Sequence, residues 1–301
     1  MGLVVIKLSI EEYEKLKETY LPFVIPSNGE YVDFVADFND VIITGYSSNK
    51  TYRKVTFKGD DASLEAKRWV SELPGEKKKT KVPTKWIDLE EQIGSDEVGV
   101  GDFLLPMVVV ATHVRRSDIH KLKELGIDDS KKMSDLKIRE IGPTVLKTFE
   151  FSLLLIPNEK YNEMVDRGEN INSLKAKMHN RALSNLLKRT PDIYKVYVDQ
   201  FCSERSYYSY LDERDEPIVR NIGFKTKGES YFPSVALASV IARFAFLVKM
   251  DELSEKYGVN LLKGASSKVD EQAKLLLQKV GREEFDKIVK RDFKNYKRII
   301  E

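Results

Sequence analysis

The chain has 301 residues, 42% of them hydrophobic and 33% charged, which is enough apolar content for two cores beneath a well-solvated surface. A formal net charge of +2 removes bulk electrostatics as an argument for nucleic acid, so such a partner has to be argued from particular residues. A single cysteine, Cys202, excludes an internal disulfide and fits a reducing, cytoplasmic setting, and the three scattered histidines (His113, His120, His179) exclude the usual zinc ligand sets.

Residues 1–8 form an apolar run without a basic flank or a small-residue cleavage site, so they read as a strand and not as a signal peptide. Residues 9–20 read as a helix capped by Ser9, with Glu11 and Glu12 in its first turn. Residues 31–38, 41–46 and 53–58 are β-rich, separated by turns at Asn39-Asp40 and Ser48-Asn49, and residues 61–73 return to helix. This makes 1–73 a small α+β domain. Residues 74–85, lysine-rich and bounded by prolines, read as a linker.

In the remaining domain, 86–301, strands are expected at 92–97, 106–114, 149–156, 194–199 and 218–224. Helices are expected at 117–125, 134–148, 171–188, from 207 to 212, and 230–257, with two more across 268–300. Strands interrupted by helices after an initial hairpin predict an α/β fold, a mixed sheet with helices on both faces. No stretch reads as a membrane span.

The densest chemical signal is Gly94-Ser95-Asp96-Glu97-Val98-Gly99-Val100-Gly101-Asp102. Neighbouring side chains in a strand point to opposite faces, so in a sheet covered on both sides Asp96 and Glu97 cannot both be idle. Buried carboxylates are costly unless compensated, and a hard divalent cation is their natural compensator. The plainer alternative is a turn opened by Asp-Glu that the glycines merely fit, and spacing alone leaves both open. Asp199 ends the apolar run Val196-Tyr197-Val198, where α/β sheets place ligands, although it also suits a loop cap. Glu229 follows Lys225-Thr226-Lys227-Gly228 and precedes a long apolar segment, as a site residue or as a negative charge at a helix start.

Taken together, these strings resemble type 2 ribonucleases H, and specifically ribonuclease HIII. The likeness extends to Asp128-Asp129-Ser130-Lys131-Lys132, to Asn172-Ser173-Leu174 with Met178-His179-Asn180, and to Ser234-Val235-Ala236-Leu237-Ala238-Ser239-Val240-Ile241-Ala242-Arg243. Residues 42–50 and 57–59 are similar to that subfamily's additional substrate-binding domain. The resemblance implies a ribonuclease H-like fold, with an N-terminal domain like that of the TATA-binding protein. It implies endonucleolytic hydrolysis of the RNA strand of RNA–DNA hybrids with one or two Mg2+ or Mn2+ ions, leaving 5′-phosphate and 3′-hydroxyl ends.

By the same resemblance the catalytic acids fall on Asp96, Glu97, Asp199 and Glu229, with the first three as metal ligands. The substrate is then met by Gly99, Val100, Gly101, Ser130, Lys131 and His179, and in the N-terminal domain by Tyr46, Ser47, Lys50, Lys54 and Lys58. No membrane and no obligate protein partner are implied. The chain departs from the family pattern at Val100 (often Thr or Arg), at Leu105 ahead of Pro106 (often Gly) and at Glu229 (often Asp). The alternative function is a non-catalytic hybrid-binding protein with a degenerate site.

Overall fold

The computed structural model describes residues 2–27, 29, 31–47, 51–70, 86–193 and 195–301. The chain divides into two compact units, Met1–Val82 and Pro83–Glu301. The segment expected as a linker, 74–85, lies outside the described residues, as do Ser48, Asn49 and Lys50.

The first unit runs β1 (Gly2–Leu8), α1 (Ile10–Tyr20), a 3-10 turn (Leu21–Phe23), β2 (Val24–Ile25), β3 (Val32–Phe38), β4 (Val41–Tyr46), β5 (Arg53–Gly59) and α2 (Ala62–Ala66). Its antiparallel sheet has the order β1-β5-β4-β3-β2. Ser9 caps α1 in a reciprocal pair with Glu12: Ser9 N–H donates to Glu12 Oε2 (2.9 Å) and Glu12 N–H to Ser9 Oγ (3.3 Å). Asn39 and Asp40 both take positive φ (51° and 62°), the geometry a tight hairpin needs. One sheet face carries Ile6, Leu8, Phe34, Ile43, Val55 and Phe57, which are buried with Tyr13, Leu16 and Tyr20 of α1. The helix expected at 61–73 is shorter, ending at Ala66 before a turn. The short β2 pairs at the sheet edge, in a stretch with no strand signal of its own.

The second unit runs β6 (Gln92–Val98), β7 (Met107–Val114), α3 (Ile119–Glu124), a 3-10 segment (Ile127–Lys132), α4 (Asp135–Thr148), β8 (Glu150–Ile156), α5 (Asn158–Asp166), α6 (Ile171–Leu187), β9 (Val196–Asp199), α7 (Glu204–Ser209), β10 (Ile222–Lys225), a 3-10 turn (Gly228–Ser230), α8 (Pro233–Tyr257), α9 (Ser267–Ile288) and α10 (Lys294–Ile300). The sheet order is β10-β9-β6-β7-β8; β6, β7 and β8 are antiparallel, and β9 and β10 run parallel to β6. β7 is buried at every position because both faces are covered: Val108, Val110 and Val114 pack toward α8, and Met107, Val109 and Ala111 toward α6.

Four readings change. The short helix lies at Glu204–Ser209, started by Ser203, whose Oγ accepts from Ser206 N–H (3.1 Å). The strand expected at 218–224 is only Ile222–Lys225. α5 is absent from the sequence expectations, because Asn158 and Asn162 on its buried side hide the apolar pattern; they donate to the carbonyls of Ile288 and Val289. Contrary to the reading that no stretch suits a membrane, α8 is long and apolar enough to cross one. Most of its apolar residues are instead buried in the core against β6 and β7.

Candidate active site

The acids of β6 separate by strand alternation. Asp96 shares the α8 face with Gly94 and Val98, while Ser95 and Glu97 face α6. Asp96 is 8% exposed. It accepts a hydrogen bond from Glu97 N–H (2.7 Å) and another from Ser239 of α8. These do not balance its surroundings. Burial, followed by repulsion from Glu97 and Asp199, pushes its pKa up to about 8.

Glu97 shows the opposite balance. Its Oε1 meets Lys175 Nζ at 2.5 Å and its Oε2 meets His179 Nε2 at 2.9 Å. Lys175 and His179 are four apart on α6, so they share one helix face. Burial pushes the Glu97 carboxyl up, but His179 and Lys175 outweigh burial and hold it below its ordinary value. Because a carboxylate only accepts, Nε2 of His179 carries the proton toward Glu97, and Nδ1 meets Ser95 Oγ at 2.7 Å. Phe201 backs both groups: the His179 ring stacks on it at 5.4 Å, and Lys175 Nζ lies 4.0 Å from its centroid.

Asp199 ends β9 and accepts from Gly228 N–H at 2.7 Å. Its carboxyl is raised by burial and by Glu97, against the pull of that N–H and of Lys131. Glu229, in the turn after β10, is buried and paired with Lys131, while its carbonyl accepts from Trp86 Nε1 (3.2 Å). Burial and the nearby Lys227 lower the Lys131 amine, and Asp199 and Asp96 pull it back up. The 3-10 segment that presents Lys131 is tied to α8 by Arg243, which donates to the carbonyls of Ser130 (3.1 Å) and Met133 (2.9 Å).

The structure thus brings Asp96, Glu97 and Asp199 within range of each other's charge, with Glu229 joined to them through Lys131. As the side chains are placed, no three His, Cys, Asp or Glu groups among the described residues stand close enough together to hold a metal ion. Lysines contact two of the acids instead. The donor set nevertheless fits a hard divalent cation. It consists of carboxylate oxygens, and Asp96 and Asp199 lack the positive charge that would let both ionise easily.

Several expected contacts change in kind. His179 is 0% exposed and cannot line the cleft; it holds Glu97 from behind. Ser130 is buried, its carbonyl held by Arg243. Gly99 is fixed by the protein itself: its φ is +88°, and a Cβ there would meet Pro106 O at 2.0 Å. Gly101 is exposed, with nothing within 4 Å of where a Cβ would stand. Val100 packs against the α6-side cluster. In the first unit, Tyr46 opposes Lys54 and Ile42 opposes Lys58 across β4 and β5, so Lys54 and Lys58 lie on the sheet face away from the helices. Ser47, just past β4, is exposed. Lys50 lies outside the described residues.

Sequence reasoning missed Lys175, although its i, i+4 spacing to His179 was a usable signal. It also missed Lys7, which opposes Lys54 in the β1–β5 register. Cys202 is only partly buried, near Lys175 and Glu97.

A family profile described as Ribonuclease HII matches residues 93–296, and a profile described as a domain of unknown function (DUF3378) matches residues 3–82. The ribonuclease HIII of Bacillus mycoides (strain KBAB4) is 40% identical over 97% of this chain and 96% of its own length. That of Listeria monocytogenes serovar 1/2a (strain EGD-e) is 41% identical over 94% and 92%. The crystal structure of Bst-RNase HIII in complex with Mn2+ superposes with a TM-score of 0.68 at 32% identity, covering 99% of this chain and 98% of that one.

Proposed function

Because this chain belongs to the ribonuclease HII family and, within it, to ribonuclease HIII, which makes it a metal-dependent ribonuclease H, we propose that it hydrolyses the RNA strand of RNA–DNA hybrids at the cluster of Asp96, Glu97, Asp199 and Glu229, leaving 5′-phosphate and 3′-hydroxyl ends. The observation that carries the reading is Asp96: a buried acid with two further acids near it and its pKa pushed up to about 8 is a site short of positive charge.

Asp96, Glu97 and Asp199 would hold the divalent cation. When bound, one or two Mg2+ or Mn2+ ions supply the Lewis acidity that makes water a nucleophile at neutral pH and offsets charge on the phosphate and the departing 3′-oxygen. The protein's own part is positioning. Lys175 and His179 fix the Glu97 carboxylate, and Ser239 and the Glu97 N–H orient Asp96. Glu229 acts from behind, holding Lys131 beside Asp96 and Asp199.

Only RNA carries a ribose 2′-hydroxyl, so the enzyme needs a reader for it. The main chain of Gly99-Val100-Gly101 fills that role. No neighbour demands a glycine at Gly101, which leaves close approach of the substrate as the reason for one. On the first unit, Lys7, Lys54 and Lys58, with Tyr46 and Ser47, grip the phosphate backbone.

The test is cleavage of a matched hybrid by wild type and by Asp96→Asn. The wild type cuts with Mg2+ or Mn2+, and the variant binds without cutting. A variant that keeps most of its activity overturns the assignment.

A further inference from the structure

Lys290, in the link between α9 and α10, is 0% exposed and belongs to none of the groups described above. Its ammonium has three donors, and they meet three carbonyl oxygens of a single loop: Gly99 (2.5 Å), Asp102 (2.7 Å) and Leu105 (2.8 Å). Its main-chain N–H donates to Phe103 O in the same loop (3.0 Å). The rings of Tyr161 and Phe293 stand 5.6 and 5.7 Å from Nζ. A second tie comes from the segment between α8 and α9: Gly264 N–H donates to the Asp102 carboxylate (2.5 Å), and Gly264 O accepts from Phe103 N–H (3.0 Å). The segment that follows the catalytic strand β6 is thus wound around a buried cation supplied from the far end of the chain.

Burying that charge is expensive, and burial pushes the Lys290 amine down to about 7 against the pull of Asp102 and Asp292. An apolar side chain of similar length would fill the same space without the charge. What the ammonium adds is direction. In a trans peptide the carbonyl and the next N–H point opposite ways, so a Gly99 carbonyl held on Nζ turns the Val100 N–H away from Lys290. The other two carbonyls fix the return of the loop to Pro106, against which Gly99 is closed.

We propose that Lys290 is a positioning residue for RNA-strand recognition, its buried ammonium setting the orientation in which the Gly99-Val100-Gly101 main chain meets the ribose. This rests on the reading, under the proposed function, that this loop faces the RNA strand. Lys290 touches no substrate and acts only through the loop.

The experiment measures binding of a hybrid and of a DNA duplex of the same sequence by fluorescence anisotropy. It is done in the non-cleaving Asp96→Asn protein, with and without Lys290→Met or Lys290→Gln, after circular dichroism has established that each is folded. Lys290→Met lowers hybrid affinity about tenfold, the worth of a hydrogen bond at the ribose, and leaves duplex affinity unchanged. Lys290→Gln, which keeps two donors, loses about threefold and supplies the answer should the Met variant not fold. A folded variant with an unchanged hybrid-to-duplex ratio, or one that weakens both substrates equally, overturns the proposal. A parent protein with no preference for the hybrid would overturn the reading of the loop, and the proposal with it, whatever the Lys290 variants do.

Discussion

The two units of this chain handle charge in opposite ways. In the first, one sheet face buries Ile6, Leu8, Phe34, Ile43, Val55 and Phe57, and Lys7, Lys54 and Lys58 are left exposed on the other, with Lys54 near the ring of Tyr46. Such charges cost the fold little and are available to any polyanion. In the second, both faces of the sheet are covered, and Asp96, buried on β6, and Asp199, partly buried at the end of β9, are both raised by burial and by the acids beside them. A fold keeps groups in that arrangement at the expense of stability, which is the mark of a site that works on something else. On the proposed function the first sheet is a surface that binds and the second a site that reacts, and substitutions in the two should then separate along that line.

The largest expected effect is at Asp199. Asp199→Asn should reduce hybrid cleavage at least about a hundredfold in kcat while leaving the melting temperature unchanged or raised, since it removes one of the charges opposing Asp96. A variant that loses stability and activity together would reduce Asp199 to a structural cap. Next is the pair of glycines. Gly99→Ala should destabilise by about 2 kcal/mol, because its φ and the Pro106 carbonyl both forbid a side chain. Gly101→Ala should stay within about 0.5 kcal/mol of wild type in denaturant unfolding yet raise KM for the hybrid.

On the first unit, replacing Lys7, Lys54 and Lys58 together by alanine should weaken hybrid binding and flatten its salt dependence, by about one in slope for each of these lysines that pairs with a phosphate, with kcat unchanged. An unaltered salt slope would remove the binding role of that face.

A difference in sign with pH separates the units as well. Burial raises the Asp33 carboxyl, but Lys17 and Tyr13 outweigh it and hold it below its ordinary 3.8, so its stabilising contribution is present above that value and is lost as pH falls through the lowered one. Asp96 is raised from 3.8 to about 8, so in metal-free protein it subtracts stability progressively as pH rises across that window. Calorimetry of Asp33→Asn and Asp96→Asn against wild type should show these opposite slopes.

How much of this was legible in the sequence depends on the residue. The hairpin at Asn39-Asp40, the Ser9 cap and the two-sided burial of β7 follow from local chemistry and period, and the structure has all three. The placement of Asp96 and Glu97 on opposite faces follows from alternation alone. What pairing decides was hidden: that β9 runs beside β6, bringing Asp199 to Asp96, is a long-range fact with no local trace. His179 reads as a polar helix residue free to face a cleft until the packing of α6 on β6 buries it. No stretch is read as a membrane span, yet α8 is long and apolar enough for one, and its packing against the sheet is what makes it a core helix. Lys290 gives no signal at all, since a lysine between two helices is ordinarily solvated.

The central claim is that Asp96, Glu97 and Asp199 share divalent cations. The most direct measurement is a crystal structure of the protein with Mn2+ and a hybrid, with the metal located by anomalous scattering. The account predicts Mn2+ coordinated by oxygens of these three residues. Mn2+ bound elsewhere, with all three carboxylates left on their present protein partners, would contradict it.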